Sequence, residues 1–142
     1  MTMKTCVLIL CTANSARSQM AEGLLQHEGG DRFAVVSAGT QPSRVRPEAT
    51  TVMRELGIDI SGQRSKSVGE FIGQDFDYVI TVCDTARQGC PIFPGKTTLM
   101  HWSIEDPAVA EGDEQARLAI FRQVRDKLRE RLLNFIAGHT RL

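Results

Sequence analysis

Lys4-Thr5-Cys6-Val7-Leu8-Ile9-Leu10 runs into Cys11-Thr12-Ala13-Asn14-Ser15-Ala16-Arg17-Ser18, and a helical pattern with Met20, Ala21, Leu24 and Leu25 on one face follows at once. The first segment is apolar without alternation, as in a strand buried on both faces. The second is a polar loop opening a helix. A loop of this kind turns backbone N–H groups inward, and the helix dipole adds positive potential. Arg17 contributes a planar fork that fits a tetrahedral oxyanion through two hydrogen bonds. The same field favours the thiolate of Cys11. A nucleophile at the base of an anion cradle is equipped to attack a phosphate-like oxyanion. Cys-x5-Arg alone is a moderate signal that a strand-end cysteine beside a solvated arginine also produces; the strand–loop–helix context gives it weight.

Outward from this unit the pattern repeats. The first helix ends near Gly29-Gly30, a C-terminal stop signal. Phe33 to Val36 reads as a second short strand, closed by Ser37-Ala38-Gly39. Pro47 opens a helix with Ala49, Val52, Met53 and Leu56 on one face and Gly57 beyond its end. Ser61 to Gly73 is polar. Asp77 to Val82 and Thr97 to His101 read as third and fourth strands, and Asp113 to Ala137 as a final helix. Its Leu118, Phe121, Val124, Leu128, Leu132 and Phe135 recur at helical spacing. Alternating strands and helices predict an α/β fold: one domain over residues 1–142, with an open parallel four-stranded sheet and helices on both faces. Ligands of such sheets bind beyond the carboxyl ends of the strands. Cys11 follows the first strand, Cys83 the third and Asp106 the fourth, so three reactive side chains are predicted to converge on one rim.

Composition limits the function classes. The 142 residues are 42% hydrophobic and 24% charged with zero formal net charge, which supplies no electrostatic case for nucleic acid or an anionic membrane. No apolar run spans a bilayer, and the short apolar start leads into polar residues rather than a cleavage site, so a cytoplasmic protein is expected. Four cysteines there read as catalytic or redox-active before structural. Cys83 and Cys90 stand too far apart for CxxC or the usual zinc knuckle. They read either as incidental or as a relay, Cys83 attacking an adduct on Cys11 and Cys90 then attacking Cys83. Cys6, inside the first strand, is expected in the core. Asp106, before Pro107, reads as a general acid or as a turn aspartate, with Glu105 a weaker competitor for the acid role.

With these residues assembled, the chain resembles the thioredoxin-coupled arsenate reductases, which share the fold of low-molecular-weight protein tyrosine phosphatases. The similarity covers Cys11 to Glu22, Ser37-Ala38-Gly39, Gly57 to Ser61, Val82-Cys83-Asp84 with Cys90-Pro91, and His101-Trp102 with Glu105-Asp106-Pro107. It implies a low-molecular-weight phosphatase-like fold and reduction of arsenate to arsenite. Cys11 would be the nucleophile, Cys83 and Cys90 the relay, and Asp106 the acid. Thr12, Ala13, Asn14, Ser15, Ala16, Arg17 and Ser18 would bind the oxyanion, with Asn14, Ser18, Glu22, Ser37 and Lys66 supporting the loop. Thioredoxin would be the reductant, and with electrons from thiols no cofactor or metal is required; a monomer is expected. Two positions depart from relatives. Ala16 stands where some carry a second loop cysteine. Lys66 stands where those that hold a monovalent cation, beside positions matching Asn14, Glu22 and Ser37, have an aspartate. The Lys66 ammonium either takes the cation's place or is solvated. A phosphotyrosine phosphatase and a non-enzymatic thiol redox sensor are the competing readings. A phosphatase needs neither Cys83 nor Cys90 but needs an aromatic wall, where this chain has Ala108-Val109.

Overall fold

The computed structural model describes residues 4–83, 93 and 96–139. Among them, strand β1 (Thr5–Cys11) is followed by helix α1 (Arg17–Gly29), β2 (Phe33–Gly39), α2 (Pro47–Arg54), β3 (Tyr78–Thr81), β4 (Thr98–His101) and α3 (Glu114–Ala137). Short 3-10 turns lie at Gly30–Arg32, Val68–Phe71 and Pro107–Val109. The strands form one four-stranded sheet in the order β2-β1-β3-β4. Every pairing is parallel, with Val7 opposite both Val35 and Tyr78.

Side chains alternate across a strand, and paired residues share a face. Val7 and Ile9 of β1, Val35 of β2 and Tyr78 and Ile80 of β3 therefore point one way. Helices α1, α2 and α3 pack on one another over that face. The Phe135 ring of α3 lies 5.7 Å from Phe33 and 5.1 Å from Tyr78, centroid to centroid. On the opposite face Leu8, Leu10 and Val79 are fully buried, and Phe76 stacks edge-on against Phe71 and Phe93. The buried residues form one connected core.

Local sequence accounts for the elements. All six apolar positions at helical spacing in α3 are buried, and Asp113 caps the helix by accepting from Ala116 N at 2.9 Å. Pro47 occupies the first turn of α2. The far end of α2 closes with Gly57 N–H donating to Arg54 O and Ile58 N–H to Met53 O. That reciprocal pattern needs a left-handed residue, and Gly57 has φ +75°. Cys6 is a correction to the sequence expectation. It is only partly buried, because it lies on the face opposite Cys11 near the open end of the sheet, lining a cavity with Ala34, Val36 and Phe76.

The strand order places the site. From β1 the chain steps to one neighbour, β2, and then returns to the other side for β3. This reversal leaves a crevice at the carboxyl ends of β1 and β3. Cys11 is the last residue of β1, and Cys83 lies two residues beyond β3.

Candidate active site

The loop from Thr12 to Ala16 is held by its carbonyl groups. Thr12 O accepts from Gln41 N at 2.8 Å, Ala13 O from Ser43 N at 3.0 Å and Ser65 Oγ at 2.9 Å, and Ser15 O from Arg46 N at 2.9 Å. Asn14 O accepts from Gln19 Nε2 at 3.0 Å and Ala16 O from Met20 N at 2.9 Å. With its carbonyls engaged by the surrounding chain, the loop turns its N–H groups to the interior of the turn. No side chain caps the α1 N-terminus at Ala16, so its first N–H groups face the same space. Asn14 adopts φ 48°, a left-handed conformation that asparagine tolerates better than most residues.

Cys11 is buried at the bottom of this loop. Its Sγ lies 2.8 Å from Ser18 Oγ and accepts from Asn14 N–H at 3.3 Å. Above it is a cavity of about 270 Å3 lined by Cys11, Thr12, Ala13, Ser15, Ala16, Arg17, Cys83 and Asp106. Thus Cys11, Cys83 and Asp106 do meet on one rim. Thr12 Oγ1 lies 3.2 Å from Cys83 Sγ. Arg17 Nη1 donates to Ile104 O at 3.0 Å, and its Nη2 lies 3.6 Å from Asp106 Oδ2. Asp106 is a turn aspartate, its Oδ1 capping the Pro107–Val109 turn by accepting from Ala108 N at 2.9 Å, and it also lines the cavity above Cys11. Glu105 turns away to an exposed ion pair with Lys127 at 3.4 Å. Cys90 lies outside the described residues.

The side chains of Asn14 and Ser18 do not line the cavity; they are fully buried behind the loop. Asn14 Nδ2 donates to Ser18 Oγ at 2.7 Å and to Ser37 Oγ at 3.0 Å. Asn14 Oδ1 accepts from Gln19 Nε2 at 2.9 Å and from Lys66 N–H at 2.8 Å. Ser37 Oγ donates to Glu22 Oε1 at 2.6 Å, and Lys66 Nζ lies 3.5 Å from the same oxygen and 2.8 Å from Arg64 O. Lys66 is buried, so the solvated alternative does not hold. With an ammonium already beside Glu22, these residues do not fit a bound monovalent cation. Among the described residues, no group of three or more His, Cys, Asp or Glu side chains is arranged to hold a metal ion.

Gln19 and Gly39 are parts of the site that sequence reasoning missed. Gln19 is fully buried and bridges Asn14 to Arg64 O, while Gln63 Nε2 donates to Gln19 Oε1 at 2.8 Å. Gly39 lies opposite Cys11 in the register, and the loop backbone crosses where its side chain would be.

Over residues 6–141 the chain matches the family described as low molecular weight phosphotyrosine protein phosphatase. An arsenate reductase of Bacillus licheniformis is 44% identical over 132 residues, covering 93% of this chain and 95% of the relative. A glutaredoxin arsenate reductase of Synechocystis is 41% identical over 131 residues, covering 92% of this chain and 95% of the relative. A solved structure of an arsenate reductase in its oxidized state is similar with TM-score 0.82 at 38% identity, covering 96% of this chain and 99% of the other.

Proposed function

The chain belongs to the low molecular weight phosphotyrosine protein phosphatase family, and from that premise we propose that it is an arsenate reductase. The observation that carries the reading is Cys83 on the rim of the cavity that holds Cys11, Arg17 and Asp106. Phosphoester hydrolysis has no use for a second thiol there; reduction does. The high identity to arsenate reductases supports the same choice.

Arsenate occupies the cradle of inward N–H groups and the Arg17 fork, where fixed donors stabilise the charge that develops on its oxygens. The Cys11 thiolate attacks arsenic, and Asp106 gives its proton to the departing oxygen, which leaves as water. The Cys83 thiolate then attacks Cys11 Sγ. The electron pair of the sulfur–arsenic bond stays on arsenic, which leaves as arsenite, and a Cys11–Cys83 disulfide remains. Cys90 attacks Cys83, frees the Cys11 thiolate and leaves Cys83–Cys90, which the dithiol of thioredoxin reduces. In sum, one arsenate and one external dithiol give arsenite, water and one disulfide. Asn14, Ser18, Glu22, Ser37 and Lys66 support the loop. In this reading the 142 residues are one catalytic domain acting as a cytoplasmic monomer.

One paired assay tests it. The protein should release arsenite when supplied with thioredoxin, thioredoxin reductase and NADPH, and more slowly with glutaredoxin and glutathione. Phosphate release from an aryl phosphate without arsenite formation would assign it to the phosphatases instead. Cys90→Ser should stop after one turnover with Cys11 linked to Cys83 in the peptide map. Arsenite formed by the wild type with Cys83 and Cys90 both still reduced would sink the relay.

A further inference from the structure

Behind the oxyanion loop a single file of hydrogen bonds joins a buried ion pair to the nucleophile, and its direction follows from the donors. Lys66 N–H is a backbone donor, so the Asn14 atom it meets at 2.8 Å is the carbonyl oxygen. The amide nitrogen of Asn14 therefore faces Ser18 and Ser37 and donates to both. Each hydroxyl has one hydrogen. Ser37 directs its hydrogen at Glu22 Oε1, and toward a Cys11 thiolate, which can only accept, Ser18 directs its hydrogen at Sγ. Glu22 Oε1 is the acceptor on which this arm of the file ends. Glu22 is buried. The positive charge facing it is Lys66 Nζ, 3.5 Å away and anchored by donation to Arg64 O.

We infer that Lys66 is a positioning residue for the nucleophile: a built-in cation whose ion pair anchors the Glu22 carboxylate and through it the file Glu22–Ser37–Asn14–Ser18–Cys11. Its ammonium fills the place in which a monovalent cation would otherwise serve, and the chain dispenses with that ion. Without that ammonium the Glu22 carboxylate loses the cation it faces, Ser37 loses its fixed acceptor, and the Asn14 amide and the Ser18 donation to sulfur are disturbed with it. The inference rests on Cys11 being the reactive thiol of the proposed function.

The test uses the full-length reduced protein, with iodoacetamide alkylation of Cys11 and Cys83 followed by peptide mapping and no arsenate present. Losing the Ser18 donation to the thiolate should slow alkylation of Cys11 about tenfold near pH 6 in Lys66→Met, the scale of one hydrogen bond to a charged group, while Cys83 keeps its wild-type rate. Lys66→Arg, which retains the charge, should recover much of the loss. A loosened fold would instead expose and accelerate both thiols. In the wild type, potassium chloride should change neither Cys11 alkylation nor the melting temperature beyond an equal concentration of tetramethylammonium chloride. A potassium-specific gain in the wild type overturns the inference, and that comparison stands if Lys66→Met does not fold. So does a folded Lys66→Met with wild-type alkylation of Cys11. Failure of the functional reading shows separately, as arsenate reduction surviving Cys11→Ser.

Discussion

Gly39→Ala tests whether the anion cradle is a shape imposed by close backbone packing. Gly39 ends β2 directly opposite Cys11. A Cβ at this position would collide with the Thr12 carbonyl oxygen and stand 2.9 Å from Asn14 N and 3.0 Å from Asn14 Cβ. All three neighbours belong to the loop, and Thr12 O is also held from outside by Gln41 N at 2.8 Å. Restoring contacts of about 3.5 Å requires the loop to retreat by about 0.5–1 Å. Overpacking of this kind costs about 1–3 kcal/mol, offset by about 0.4–1 kcal/mol from the stiffer unfolded chain. A net loss of about 1–2 kcal/mol should lower the melting temperature by several degrees. The catalytic effect should be larger, because misplacing reacting groups by about 1 Å costs about 10²-fold. Thermal unfolding with steady-state arsenate kinetics measures both. A folded Gly39→Ala enzyme with wild-type kcat/KM would refute the claim that this glycine shapes the cradle.

Two further outcomes follow from the same geometry. Asp106→Asn should retain the turn, since the amide oxygen still accepts from Ala108 N, yet slow formation of the Cys11 adduct by about 10²–10⁴-fold in single-turnover mass spectrometry. An unchanged rate would pass the proton to water, because Glu105 points away toward Lys127. Away from the site, the Arg122 guanidinium holds the Glu55 carboxyl below its ordinary range, with Arg125 adding to the effect against the opposing cost of burial. A depressed folded-state value contributes stability above the unfolded value of 4.5 that is lost as pH falls through the folded value. The melting-temperature gap between wild type and Glu55→Gln should therefore be present at neutral pH and shrink in acid below that value; a gap that widens there would contradict the assignment.

Much of the fold is written in short-range patterns. The unbroken apolar run of β1, the polar loop after it, the proline opening α2 and the apolar stripe of α3 each express a preference decided within a few residues, and each element formed where its pattern lies. The meeting of Cys11, Cys83 and Asp106 was also legible, because alternating strands and helices make a parallel sheet whose loops share one rim. The second half of the site was not legible in local patterns; the family resemblance alone pointed to Asn14, Ser18, Glu22, Ser37 and Lys66, and Gln19 was missed. Gln19, Glu22 and Ser18 look like the wet side of an amphipathic helix until β2 and the segment around Lys66 enclose them. Lys66 N–H reaches Asn14 across 52 residues of chain, and Ser37 reaches Glu22 across 15. Glu105 and Asp106 are adjacent carboxylates, and only the route of the backbone past Arg17 and Lys127 tells them apart. By itself the sequence determined which residues have the chemistry and which elements carry them. Tertiary structure decided which polar groups are buried and which of them meet, because a buried donor or acceptor must find its partner in space rather than along the chain.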